Sequence, residues 1–273
     1  MKKIGILFLG LISVFSFSQN TRFVYQVSMK TDSTAAPKIE NAYLDISTEK
    51  SIFYGEKRMK RDSTIRQAME TRNFNFDRNS MEQFRTAITY SIEKNHATKT
   101  ISYKDRIARD QYWYDEDRTF TWKILPETVK IGEYETQKAE TTFAGRKWFA
   151  WFTQDLPFID GPYKFSGLPG LIVKVEDEKG DYSFDLKETK KIAELPNFES
   201  RFGNNIKVKR SEFLKQQEKF NKDPMSFFQN QGGGFAMRMG GNQNPQNEAE
   251  RRKMMEERLK EEAKANNNPL EKN

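Results

Sequence analysis

The chain contains no cysteine and a single histidine, His96. Without cysteine there are no disulfides, no thiolate nucleophile and no acceptor for lipidation at an export cleavage site. One histidine and no cysteine argue against a zinc site. A Ser-His-Asp arrangement would have to use His96, which stands in the polar stretch EKNHATK and reads as a surface residue in a turn. Long apolar runs are almost as scarce, and the mean hydropathy is −0.87. The one such run, Ile4 to Phe15, is shorter than the ~20 residues that span a bilayer. Met1-Lys2-Lys3 precedes it and Ser16-Phe17-Ser18 follows as a small-x-small site. That order predicts a signal peptide over residues 1–18, cleaved before Gln19. The expectation is an exported protein, periplasmic or secreted, not a lipoprotein and with no transmembrane anchor in the mature chain. It must be held together by a hydrophobic core, for which its length suffices.

A face of one charge is also missing. Lys and Arg total 46 against 39 Asp and Glu, a net +7 that becomes +5 once Lys2 and Lys3 leave with the signal. The two signs interleave along the chain. This gives a mixed solvated surface rather than the basic face that nucleic acid requires, so no nucleic-acid partner is expected.

What the sequence does have is period-two alternation, the pattern of half-buried strands. Phe23, Tyr25, Val27 and Met29 share one face, as do Ala42, Leu44 and Ile46. The same holds for Ile88, Tyr90 and Ile92, for Ile101 and Tyr103, and for Phe120, Trp122 and Ile124. Leu171, Val173 and Val175 form another set, and Tyr182, Phe184 and Leu186 the last. Asn95-His96 and Lys179-Gly180-Asp181 read as tight connections, and short connections mean antiparallel pairing. RKWFAWFT differs, with Trp148, Ala150 and Phe152 on one face and Phe149 and Trp151 on the other. That predicts a central strand covered on both sides. The fold class expected is mainly β: a curved antiparallel sheet, a half-barrel or open barrel, with a few helices. Periplasmic lipoprotein carriers offer an analogy for such a fold, and an analogy of fold does not establish function.

Helices are expected over Asp62 to Arg72 and from Ser211, a residue suited to an N-cap. Residues 19–230 would form the β domain. Residues 231–247, rich in Gly, Asn, Gln and Met, read as a flexible segment. Residues 248–273 read as a polar helix and tail carrying Glu/Lys and Glu/Arg pairs. Met225, Met237, Met239, Met254 and Met255 are soft enough to hold Cu(I). Arg238 between two of them opposes this, so no metal or cofactor is expected.

One stretch carries unusual turn chemistry. Leu168-Pro169-Gly170-Leu171 has Pro and Gly where a type II turn wants them, and Asp160-Gly161-Pro162 is a second turn signal. Gly161, Pro162, Gly167, Leu168, Pro169 and Gly170 are therefore structural candidates. The stretch AGRKWFAWFTQDLPFIDGPYKFSGLPGLIVKVED (144–177) is similar to the signature of the GLPGLI family, exported proteins of Gram-negative bacteria named for that hexapeptide. The ending Asn268-Pro269-Leu270-Glu271 resembles the family's Asn-Pro-Ile-Glu-type ending, with Leu270 in place of isoleucine and Lys272-Asn273 beyond it. The resemblance implies compartment and fold, and it implies no activity.

GLPGLI itself offers no acid, base or nucleophile, so no catalytic residue is assigned. Chemistry would come from its neighbours, and Arg146, Lys147, Trp151, Asp160, Tyr163 and Lys164 are the expected partner-contact surface. The favoured reading is a non-catalytic binding, carrier or assembly module for an envelope protein, a lipid or a peptide. The ligand would lie in an apolar groove between the sheet and a covering helix. The alternative is an exported hydrolase with paired carboxylates, drawn from Asp155 and Asp160 or from the Asp115-Glu116-Asp117 hairpin tip, with Arg146 or Lys164.

Overall fold

The structure is a computed structural model that describes residues 20–73, 83–198, 203–224, 226–227 and 245–272. The expected signal peptide and most of the Met- and Gly-rich segment lie outside the described residues. Twelve strands form one open, curved sheet: β1 (Asn20–Met29), β2 (Lys38–Ile46), β3 (Lys50–Gly55), β4 (Ser91–Asn95), β5 (Ile101–Ile107), β6 (Asp110–Asp115), β7 (Lys123–Ile131), β8 (Tyr134–Phe143), β9 (Arg146–Thr153), β10 (Leu171–Asp177), β11 (Tyr182–Ile192) and β12 (Asn205–Lys207). Their order is β12-β6-β5-β4-β3-β2-β1-β11-β10-β9-β8-β7. Every pairing is antiparallel except that of β12 with β6. The helices are α1 (Glu56–Thr71), α2 (Arg210–Lys222) and α3 (Pro245–Lys264). No helix among the described residues is long and apolar enough to cross a membrane, which leaves membrane-crossing strands unaddressed.

The expected alternation puts its apolar residues inward. Phe23, Tyr25, Val27, Leu44, Phe53, Ile92, Ala150, Phe152, Val175 and Phe184 are buried in one core on the inner face. The curvature follows from a single connection. β6 lies near one edge of the sheet and β7 forms the other, ten strand spacings apart. A flat sheet would separate them by about 48 Å, whereas the linker Glu116 to Trp122 reaches about 29 Å when fully extended. The sheet must therefore curl, and the linker crosses its inner face, laying Phe120 and Trp122 against the core. Those two rings precede β7 rather than lying in it, and Ile124 is exposed.

Several expectations need correction. Lys209, not Ser211, caps α2, and no side chain bonds to that end. Helix α1 starts at Glu56, six residues before the expected position. Among the described residues, no helix or strand covers the second face of β9. Phe149 and Trp151 are half-buried there under lysine stems: the Lys138 ammonium lies 4.5 Å from the Phe149 ring centre and that of Lys174 lies 5.1 Å from the Trp151 ring centre. Cation–π contact thus stands in for a second layer.

The hexapeptide does not make a type II turn. The Gly170 N–H donates to Leu168 O at 2.8 Å, a three-residue turn about Pro169, and the Leu171 N–H donates to Leu156 O at 3.1 Å. Gly170 has φ +143°, and a Cβ there would lie 2.0 Å from Thr153 O. Backbone lies where a side chain would go, so glycine is required twice over. Gly167 also has positive φ, at +92°, but open space around it. Gly170→Val is expected to cost at least about 2 kcal/mol, while Gly167→Ala carries the strain of its φ without a clash. Urea unfolding of both variants checks this; equal losses would contradict the close approach.

Candidate functional site

The signature segment between β9 and β10 folds onto the inner face of the sheet, where Tyr163, Phe165, Leu168 and Leu171 join the core. Phe165 is ringed by Trp148 (4.9 Å between ring centres), Trp122 (5.9 Å), Phe120 and Phe143. Two lysines, Lys94 and Lys164, fix this segment and Arg146 fixes the tail beside it, each in a separate cluster.

Lys94, on β4, reaches beneath the first turn. Its ammonium donates to Asp160 Oδ1 (2.5 Å), Gly161 O (2.5 Å) and Phe165 O (2.9 Å). Burial drags the Lys94 ammonium down, opposed by the Asp160 charge. Burial alone would raise the Asp160 carboxyl, but Lys94 and the His96 ring hold it below its usual range. His96 Nε2 lies 3.7 Å from Asp160 Oδ2, and this contact raises the imidazole. His96, far from the signature in sequence, is thus beside it in space.

Lys164 is fully buried. Its ammonium donates to Glu116 Oε2 (2.5 Å), Glu271 Oε1 (2.6 Å) and the Tyr114 hydroxyl (3.1 Å). Arg118 bonds both carboxylates, and the Tyr163 hydroxyl donates to Glu271 at 2.6 Å. The Tyr103, Tyr114 and Tyr163 rings lie within 5.5 Å of the ammonium. Burial would raise the Glu116 carboxyl, but Arg118 and Lys164 hold it down at about 2. Glu271 is likewise held low, its burial outweighed by Lys164, Tyr163 and Arg118. Lys164 and Arg118 match the two carboxylates, and Arg210 adds a third cation 4.0 Å from Glu271 Oε2.

Arg146, at the start of β9, ties down the tail. It donates to Asp177 (2.7 Å) and Asp181 (3.2 Å) at the β10–β11 hairpin, and to Asn268 Oδ1, Pro269 O and Leu270 O. Tyr182 hydroxyl and the backbone of Lys30 and Ala144 hold further tail atoms. The Asn268-Pro269-Leu270-Glu271 ending is therefore an inserted strap.

These placements revise the expected site. Arg146, Asp160, Tyr163 and Lys164 are all buried, so they offer no partner-contact surface. Lys147 is exposed and Trp151 half-buried on the outer face of β9. Gly161, Pro162, Leu168 and Gly170 are buried, while Gly167 and Pro169 are exposed. Asp155 is exposed and does not share the burial of Asp160. Asp115-Glu116-Asp117 is not a hairpin tip, since β6 ends there and Glu116 turns inward. No cluster of three or more acidic, His or Cys side chains suited to a metal occurs among the described residues. The expected groove under a helix is filled: α2 lays Phe213 on Tyr103 and Tyr114, and the signature rings fill the rest.

Comparison with known proteins adds fold and little else. Residues 141–174 match a family model described as a protein of unknown function, Porph_ging; the match covers most of the signature stretch. No curated protein matches. Two crystal forms of PNGF-II share the fold at 18% and 17% identity, with TM-scores of 0.52 and 0.53, over 72% of this chain. The chain spans about a third of PNGF-II, 33% and 32% in the two structures. A LolA superfamily protein, NE2245 from Nitrosomonas europaea, aligns over 66% of this chain and 88% of its own at 10% identity and a TM-score of 0.27, too distant to support an argument.

Two outcomes follow from the Lys164 cluster. Lys164→Ala leaves the Glu116 and Glu271 carboxylates with one buried cation fewer, held by Arg118, and is expected to cost about 3 kcal/mol in urea unfolding. Combined with Glu271→Gln it should cost less than the sum of the single changes. The low pKa of Glu116 also sets an acid limit. Its folded carboxyl sits below its unfolded value of about 4.3, so its contribution is complete above that pH and is lost as pH falls toward about 2. Thermal melts of Glu116→Gln against the parent should therefore differ at pH 7 and converge toward pH 2.

Proposed function

We propose that this chain is a member of the GLPGLI family and acts as a non-catalytic binding or assembly module of the cell envelope, exported by its first 18 residues. The observation that carries this reading is the closure of the charge clusters around the signature. A catalytic acid or base must reach its substrate. Glu116, Asp160 and Glu271 instead reach Lys164, Lys94 and Arg118; the Glu116 and Asp160 carboxylates are buried, and Glu271 and Arg118 are half-buried. Glu116 and Glu271 do converge, as the hydrolase alternative requires, but on Lys164 and Arg118, whose two positive charges match theirs. The signature then serves as a plug that shapes the sheet, and contact with a partner falls to the outer face.

The outer face of β8–β10 has the composition for it. Phe149 and Trp151 stand half-buried beneath Lys138, Lys147 and Lys174. Aromatic anchors flanked by cations are the residues in which binding energy concentrates. The partner would be an envelope protein, a lipid or a peptide. Capture from envelope extract by the mature protein, followed by protein and lipid analysis of what is retained, tests this. Trp151→Ala should reduce capture roughly tenfold or more, and Lys147→Ala by less, with melting temperatures little changed. Equal capture by Trp151→Ala would move the contact elsewhere.

A further inference from the structure

A second feature lies on the outer face at the opposite end of the sheet, with β2, β1 and β11 between it and the Trp151 surface. Strands β3 to β6 and the segment 195–198 enclose a cleft of about 330 Å³. That is the lower end of the range for small-ligand sites. Two strand lysines meet there: Lys50 and Lys104 approach the same Glu93 oxygen, Oε2, at 3.3 and 3.2 Å. Each ammonium has three N–H donors and gives one to Glu93. Two cations against one anion leave one positive charge over. Across the cleft, Gln111 is 2% exposed, and its carbonyl oxygen Oε1 has no hydrogen-bond partner. A buried amide oxygen left unmet is costly and marks a place for a donor. The Phe198 ring, pinned against Tyr54 at 4.6 Å and under Arg58 at 4.8 Å, supplies a fixed apolar wall.

We propose that this cleft binds a small carboxylate whose acid group lies beside hydroxyl or N–H donors. The acid meets Lys50 and Lys104, the donor meets Gln111 Oε1, and a carbon face rests on Phe198. Inorganic phosphate does not fit as well: it brings more charge than the single excess cation balances, and it has no carbon face for Phe198. A neutral sugar supplies donors but leaves the ammonium charge unmatched. The same chemistry is presented by a sugar acid and by the C-terminus of a peptide.

Titration of the full mature chain by calorimetry and amide NMR separates these sources. The probes are glucuronate and N-acetyl-alanyl-alanine, each beside its neutral counterpart, glucose and the peptide amide, with inorganic phosphate as a further control. At least one acid should bind with Kd below about 10 mM, its neutral counterpart at least about tenfold more weakly, and the bound acid should shift Lys104 and Gln111 signals. Whichever acid binds identifies the source. Lys104→Ala should weaken binding about tenfold. Gln111→Met keeps the volume and removes the acceptor, so it should keep the melting temperature and weaken binding. No binding by either acid overturns the proposal. So does equal binding of a neutral probe, tighter binding of phosphate, or unchanged affinity in either variant. The Trp151 capture experiment does not bear on this cleft, so the two can fail separately.

Discussion

An ammonium taken out of water must bring its counter-charges with it. Lys164 meets that demand with Glu116 and Glu271, and they come from three distant parts of the chain. Glu116 belongs to the linker that pulls the two ends of the sheet toward each other. Lys164 belongs to the signature segment and Glu271 to the tail. Sheet curvature, signature position and tail insertion are therefore one cooperative arrangement, since none of the three charges can be buried without the other two. Arg118 completes the set by bridging both carboxylates.

The signature is shaped to deliver that lysine. Tyr163 sits in the left-handed region at φ +55°, a conformation that costs energy in a residue other than glycine. It is held there by its hydroxyl on Glu271 and by stacking on Phe184 at 6.2 Å. The kink sends Lys164 and Phe165 into separate clusters, one ionic and one aromatic. Lys94 then fixes the backbone on either side through Gly161 O and Phe165 O. In this arrangement the turn residues act through backbone geometry, and their side chains offer no acid, base or nucleophile.

How much of this could be read from the sequence divides along physical lines. Alternation made most strands of the inner face legible, because burial on one face leaves a period of two. Strand β3 escaped: Ile52, Phe53 and Tyr54 are buried in succession, so it shows no alternation. Strand β8 escaped because small and polar residues, Ala139 and Thr141, face inward. The hairpin connections at Asn95-His96 and Lys179-Gly180-Asp181 were legible because turn chemistry depends on neighbours. The ionic site was not. Lys164 lies 48 residues from Glu116 and 107 from Glu271, and local pattern assigns each such charge to solvent. Two signals pointed to it. Glu116 stands among aromatics in YWYDEDRTFTW, and the Asn-Pro-Leu-Glu ending is out of keeping with a tail that merely frays.

Helix α3 finds its place in the same logic. It is rich in Glu, Lys and Arg and offers few apolar residues, so burial contributes little to its stability. A helix of this kind is useful for reach. Its 20 residues span about 30 Å at ~1.5 Å per residue, and it ends at Lys264, three residues before Asn267, where the tail begins to bond the sheet. Asn267 then pairs with Asp32, Asn268 with Lys30 O and Arg146, and Glu271 with Lys164. A stiff rod returning the C-terminus to the sheet explains how the charged end of the chain comes to complete the charge cluster around the buried Lys164.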